Sequence, residues 1–164
     1  MGRAGSVGDE LGSALIGAPL VRDLMRLCFL MERRFAPYPK WFGTAFRQLS
    51  CAAELTPHLT AALRARDWRR REQNLVAAYE RVAAMHNASG LTDPLPRHAR
   101  DFYGRPFRVI ALHGFAAALA ARIEDPRLRR LTERHTIGSL DQFSDSTDHL
   151  EDVALRPKLR RLYE

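Results

Sequence analysis

Apolar residues recur three and four positions apart along almost the whole chain, and alternation with period two rarely persists, so the pattern predicts an all-α protein. Leu20, Leu24, Leu27, Cys28, Leu30 and Met31 follow Pro19, a residue suited to a first helical turn. They predict a long helix over about 19–35, after a shorter one over about 9–17. The prolines of "APYPK" end it. A second helix begins near Lys40 and carries Trp41, Phe42, Ala45, Phe46 and Leu49, with Gly43 letting another helix come close. Thr56 before Pro57 reads as an N-cap and first-turn proline, with "CAAEL" as a candidate continuation on the N-terminal side. Asp67 caps the best-defined helix, where Trp68, Leu75, Val76, Tyr79, Val82, Ala83 and His86 form one stripe that ends at Gly90.

Residues 91–106, "LTDPLPRHARDFYGRP", are broken by prolines and a glycine and predict a structured loop with at most a short helix near 97–102. Phe107, Val109, Ile110, Leu112, Phe115, Ala116, Leu119 and Ile123 are apolar nearly all round, the mark of a helix central to a bundle. Pro126 opens a short helix to about Arg134, "GSLDQFSDSTDHLED" is a polar loop, and "RPKLRRLYE" is a terminal helix or frayed tail. The expected architecture is one helical domain over 1–164, a bundle of roughly five to seven helices, with 1–8 and 157–164 as fraying ends.

Composition fits that picture. A chain of 164 residues, 46% of them hydrophobic, buries a core without help from metals or disulfides. The 26 Lys and Arg against 19 Asp and Glu leave a charge of +7, which favours nucleotides, nucleic acid or an acidic protein patch as partners. The excess is nearly all arginine, as GC-rich coding would also produce, and it forms no clustered stripe. Dedicated nucleic-acid binding is therefore not favoured by charge alone. Cys28 and Cys51 read as reduced thiols of a cytoplasmic protein, and no apolar stretch approaches the length of a membrane span.

The candidate chemistry is sparse. His58, His86, His98, His113, His135 and His149 show no zinc-ligand spacing, and neither a phosphate-binding glycine loop nor a nucleophile elbow occurs, so neither a metal nor a cofactor is expected. Arg81 and His86 share the arginine, four residues, histidine spacing of HEPN-type ribonucleases. On a regular helix they lie about 140° apart, and His86 falls on the apolar stripe, which favours a core histidine over a general base. Asp141, Asp145 and Asp148 would share a helical face but do not sit on a strand, so they read as a solvated acidic loop with Ser139 and Ser144 as caps.

The densest signal is "MERRFAPYPKWFGTAF", residues 31–46. Arg33 and Arg34 at a helix end can offset its dipole while Tyr38 and Trp41 pack the turn. Alternatively Arg33, Arg34, Tyr38, Lys40 and Trp41 form a wall that grips an anionic, flat ligand, since planar cations beside rings hold phosphate and stack bases. His86, Asn87, Phe102, Tyr103 and Arg105 would supply a second wall.

"VRDLMRLCFLMERRFAPYPKWFGTAF" (21–46), "AAYERVAAMHNASGLT" (77–92), "FYGRPFRVI" (102–110) and "GSLDQFSDSTDHL" (138–150) resemble, over about residues 8–150, the C-terminal helical half of a bacterial family of unknown function. In that family this half follows a nucleotidyltransferase-like domain, an arrangement similar to aminoglycoside nucleotidyltransferases, whose helical bundle covers the active site and helps hold the acceptor. The resemblance implies a non-catalytic domain that binds substrate or partner, working with a nucleotidyltransferase-like catalytic domain or protein. The glycine-serine and carboxylate motif of that upstream half is not in this sequence, so nucleotidyl transfer by these residues alone has no mechanism. Two rivals stay open: a stand-alone helical enzyme using His86, and a protein interaction module, for instance a homodimer.

Overall fold

The computed structural model describes residues 1–110, 113–134 and 152–161. Its elements are α1 (Gly2–Gly5), α2 (Glu10–Met31), α3 (Pro39–Phe46), α4 (Ala52–Arg64), α5 (Trp68–Ala88), β1 (Arg100–Asp101), β2 (Arg108–Val109), α6 (Phe115–Ala121), α7 (Pro126–Arg134) and α8 (Arg156–Arg160). The protein is an all-α helical bundle, with one small antiparallel hairpin among the described residues. The chain forms two compact units, Met1–Phe115 and Ala116–Glu164, and the core described here belongs to the first.

α2 runs without a break through Pro19, where the sequence pattern predicts two helices. The reason lies in its buried face: Ser13, Gly17, Val21, Leu24 and Cys28 step by three and four across the proline, and Pro19 itself is exposed, so the carbonyl it leaves unbonded faces solvent. Asp9 starts the helix by accepting from the Gly12 N–H at 2.7 Å. Pro57 is likewise exposed inside α4, which is continuous from Ala52 and buries Ala52, Leu55, Leu59 and Ala62.

The core is the meeting of α2, α4 and α5, closed at one end by α3, whose Phe42 and Phe46 rings lie 5.4 and 6.3 Å from that of Phe29. α5 begins at its Asp67 cap, as expected, and presents Trp68, Leu75, Ala78 and Val82 inward. The run Trp-Arg-Arg-Arg-Glu at its start has the look of a solvated charge cluster, yet Arg71 is only 3% exposed. Its guanidinium donates to Ser13 Oγ at 2.8 Å and to the Ala65 carbonyl at 2.7 Å, and pairs with Glu10 at 3.4 Å. Glu10 also accepts the Trp68 N–H at 3.0 Å. A Cβ on Gly17 would stand 2.7 Å from Arg71 Cδ, and one on Gly5 would overlap the Trp68 ring, so α1 and α2 reach α5 only because these positions are glycine.

Two expectations fail in the C-terminal part of the chain. Residues 97–102 are not helical; 100–101 pair with 108–109 in register Arg100 to Val109 and Asp101 to Arg108. Strands two residues long are too short to print a period-two pattern. The apolar stretch 107–123 is not one central helix: it divides between β2 and the short α6, which buries none of its residues. Gly114, at φ +77, stands just before α6 and takes a backbone conformation that ends regular structure.

Arg71→Ala is expected to lower the unfolding free energy by about 2–4 kcal/mol, because Ser13 and Ala65 lose their partner and a void opens. Arg81→Ala, whose partner Glu54 is largely exposed, should cost under about 1 kcal/mol in the same urea titrations. A second prediction concerns Glu32, whose carboxylate accepts the Ser50 and Cys51 N–H groups at 2.8 and 2.9 Å and ties the end of α2 to the start of α4. Burial pushes its pKa up, but these hydrogen bonds outweigh it and hold the carboxyl below the ordinary 4.5. The unfolded chain then takes up the proton first as pH falls. The contribution of Glu32 is complete above about pH 4.5 and is lost as pH drops through the lowered folded value. Glu32→Gln should accordingly be roughly 1 kcal/mol less stable at neutral pH and converge with the parent in acid, measured by urea unfolding across that range.

Candidate functional site

The turn between α2 and α3 is built by backbone chemistry. Arg34 N–H reaches the Phe29 carbonyl at 2.9 Å and Arg33 N–H that of Leu30 at 3.1 Å, the paired bonds of a Schellman end, with Arg33 in the left-handed conformation at φ +53. Glycine would take that position more easily. The turn throws both arginines and Phe35, 90% exposed, outward. Tyr38 then caps α3 without a side-chain bond to its backbone, and Pro39 opens the helix.

Tyr38 and Trp41 do not pack into the core; they are 45% and 51% exposed. Trp41 Nε1 donates to the Tyr38 hydroxyl at 3.1 Å, which fixes the indole, and the Lys40 ammonium stands 5.6 Å from the centre of its ring. The structure thus brings Tyr38, Lys40 and Trp41 together as a flat, cationic surface patch, with Arg33 and Arg34 on the turn that precedes it.

Beside that patch lies a cavity of about 420 Å³ between α2, α3 and α4. Its floor is apolar, made by Val21, Met25, Phe46, Leu59 and Leu63, and its rim carries Lys40, Thr44, Arg47, Thr56 and Thr60. A second, more open cavity of about 750 Å³ continues past Arg47, Thr56 and Thr60 to Arg64. Among the described residues, no carboxylate lines either cavity. Of the ligand-binding residues expected from the sequence, Lys40 alone lines them. Gly43 meets nothing within 4 Å, so it does not admit a neighbouring helix; it opens the cavity instead. The sequence signal for the rest was present but unremarkable: Lys40, Gly43, Thr44 and Arg47, and likewise Thr56, Leu59, Thr60 and Leu63, follow the spacing of one helical face. A face of threonines on a short helix reads as ordinary solvated surface until the two helices are placed side by side.

The expected second wall is otherwise occupied. His86 is 4% exposed, its ring edge-on to Phe115 at 4.9 Å and its Nε2 at 2.9 Å from Thr92 Oγ1. Because that hydroxyl donates to the Asp93 carbonyl at 2.9 Å, His86 Nε2 carries the proton and donates. Asn87 clasps Leu95 from both sides, donating to its carbonyl at 2.9 Å and accepting from its N–H at 3.0 Å. These are the bonds of a histidine and an asparagine that hold the 91–95 loop. Arg81 is paired with Glu54. Phe102 stacks on Phe107 at 5.6 Å, while Tyr103 and Arg105 are exposed at the tip of the hairpin. The tip closes with Arg105 N–H on the Phe102 carbonyl at 2.9 Å and positive φ at Tyr103 (+47) and Gly104 (+73), the geometry of a type I′ turn. Glu72 and Glu80 pin the hairpin to α5 through the N–H groups of Arg108 and Ala99.

Among the described residues, no group of three or more His, Cys, Asp or Glu could hold a metal ion, and no helix is long and apolar enough to cross a membrane. Cys28 and Cys51 are free and buried, and burial pushes both thiols up, away from reactivity. Asp141, Asp145 and Asp148 lie outside the described residues.

A family model described as a domain of unknown function, DUF4037, matches residues 1–42, which take in α1, α2, the exposed turn and the first residues of α3. No curated protein and no solved structure matches the chain.

Proposed function

We propose that this bundle is a non-catalytic binding domain that holds an anionic or nucleotide-type ligand in the furrow between α3 and α4 and works beside a nucleotidyltransferase-like catalytic partner. The observation that carries the reading is the lining of the furrow: Lys40, Arg47 and Arg64 with the hydroxyls of Thr44, Thr56 and Thr60 over an apolar floor and, among the described residues, no carboxylate. Such a lining attracts negative charge and offers donors to phosphate oxygens, while the floor accommodates an apolar or ring portion. A polycationic amino-sugar acceptor suits it poorly, because no described residue of the lining bears the opposite charge.

The catalytic partner enters through the resemblance of residues 8–150 to the helical half that follows nucleotidyltransferase-like domains. The DUF4037 match over 1–42 is consistent with a family of unknown function and says nothing about the partner. Positioning an acceptor contributes rate only when another chain or domain supplies the metal-bound nucleotide, so the domain is a holder of substrate in this reading. His86 as a general base draws no support from its buried, hydrogen-bonded position.

Titration with ATP and with inorganic pyrophosphate tests the proposal. Saturating ligand, at about a hundred times its Kd, is expected to stabilise the fold by about 2.7 kcal/mol in thermal unfolding. The double variant Lys40→Ala, Arg47→Ala should weaken that binding at least about tenfold by calorimetry, with an aminoglycoside giving no heat in either protein. Absence of any response to both phosphates would refute the reading.

A further inference from the structure

We infer that the furrow is a track for single-stranded nucleic acid, whose backbone follows Lys40, Arg47 and Arg64 and one of whose bases stacks on Trp41. The inference rests on the ligand-binding reading above and narrows it to a polymer.

Continuity is the first argument. The two cavities share Arg47, Thr56 and Thr60, so they are stretches of one furrow. α4, with 13 residues, gives it a wall about 20 Å long. A single nucleotide fills one of the cavities and leaves the other empty; a strand of several nucleotides uses both.

Charge is the second. Arg70, Arg71, Arg81 and Arg108 on α5 and the hairpin face Asp67, Glu10, Glu54 and Glu80. Lys40 and Arg64 make no such pair among the described residues, and Arg47 meets only the Thr44 hydroxyl, at 3.5 Å. Cations with no carboxylate partner, along a furrow whose described lining holds no carboxylate, are those that release counterions when a phosphate chain arrives.

The third is an aromatic ring next to the furrow: Trp41 is outside the lining of both cavities but stands beside Lys40, which lines the first. Trp41 is half exposed and its Nε1 donates to the Tyr38 hydroxyl, which favours one orientation of an aromatic face open to a stacking base. Lys40 spans both parts: it lines the first cavity while its ammonium rests over the indole. A base arriving on that ring displaces the ammonium toward the phosphate that follows it. A duplex keeps its bases stacked on one another and has none to offer. An acidic protein segment would satisfy the cations but has no use for the fixed indole.

The test is fluorescence anisotropy with a labelled oligouridylate of about twelve nucleotides, a duplex of equal length, and polyglutamate as competitor. We expect the single strand to bind with a log Kd against log salt slope of about 2, three contacts at about 0.7 each. Arg47→Ala should lower the slope by about 0.7, and Trp41→Ala should weaken binding about tenfold or more with circular dichroism unchanged, Trp41→Phe recovering most of it. Equal affinity for the duplex, displacement by polyglutamate at equal charge concentration, indifference to Trp41→Ala, or no binding at low salt would each overturn the inference. Should pyrophosphate still bind in the furrow after such a result, the ligand-binding reading stands without its polymer; if pyrophosphate also fails, both fall.

Discussion

One buried guanidinium organises the first unit. Arg71 points inward from α5 and binds Ser13 on α2, the Ala65 carbonyl in the turn before α5, and Glu10, which in turn receives the first N–H of α5. A buried arginine with its hydrogen bonds met contributes little net stability compared with an apolar side chain of equal volume, but it tolerates only one arrangement of its partners. Sliding α2 along α5 by a turn would strand both Ser13 and the charge, so the register of the two long helices is set there. Gly17 allows the approach, because a methyl group at that position would overlap the arginine stem.

With α2 and α5 locked, α4 packs into the space between them and α3 covers the end through Phe42 and Phe46. Glu32 carries that order to the next junction by holding the two N–H groups that precede α4. The turn from α2 into α3 is therefore held at both ends, which is why it can display Arg33, Arg34, Phe35, Tyr38 and Trp41 to solvent without loosening. Aromatic side chains normally repay their exposure by packing; here a hydrogen bond between Tyr38 and Trp41 and a cation over the indole take the place of a core.

The division of charge follows from the same frame. Arg71, Arg81 and Arg108 meet the carboxylates of Glu10, Glu54 and Glu80, whereas among the described residues Lys40, Arg47 and Arg64 along the furrow meet none. An excess of +7 spread evenly would mean little for binding, but the three cations and three threonines that share one furrow give part of that excess a direction.

Much of this protein was legible in its order of residues. Stripes at three- and four-residue spacing mark α2, α4 and α5, Asp67 marks a helix start, and Gly90 marks the region of a helix end, because periodicity and capping are local physics. Pro19 misleads because whether a proline breaks a helix depends on which side faces solvent, a fact of packing. Arg71 is indistinguishable from Arg69 and Arg70 in the sequence, and His86 and Asn87 look as fit for a ligand as for a loop, since burial and hydrogen-bond partners come from segments far along the chain. The aromatic turn could be read but its exposure could not. The furrow was invisible until α3 and α4 lay beside each other, because a cavity belongs to neither helix and exists only in the distance between them.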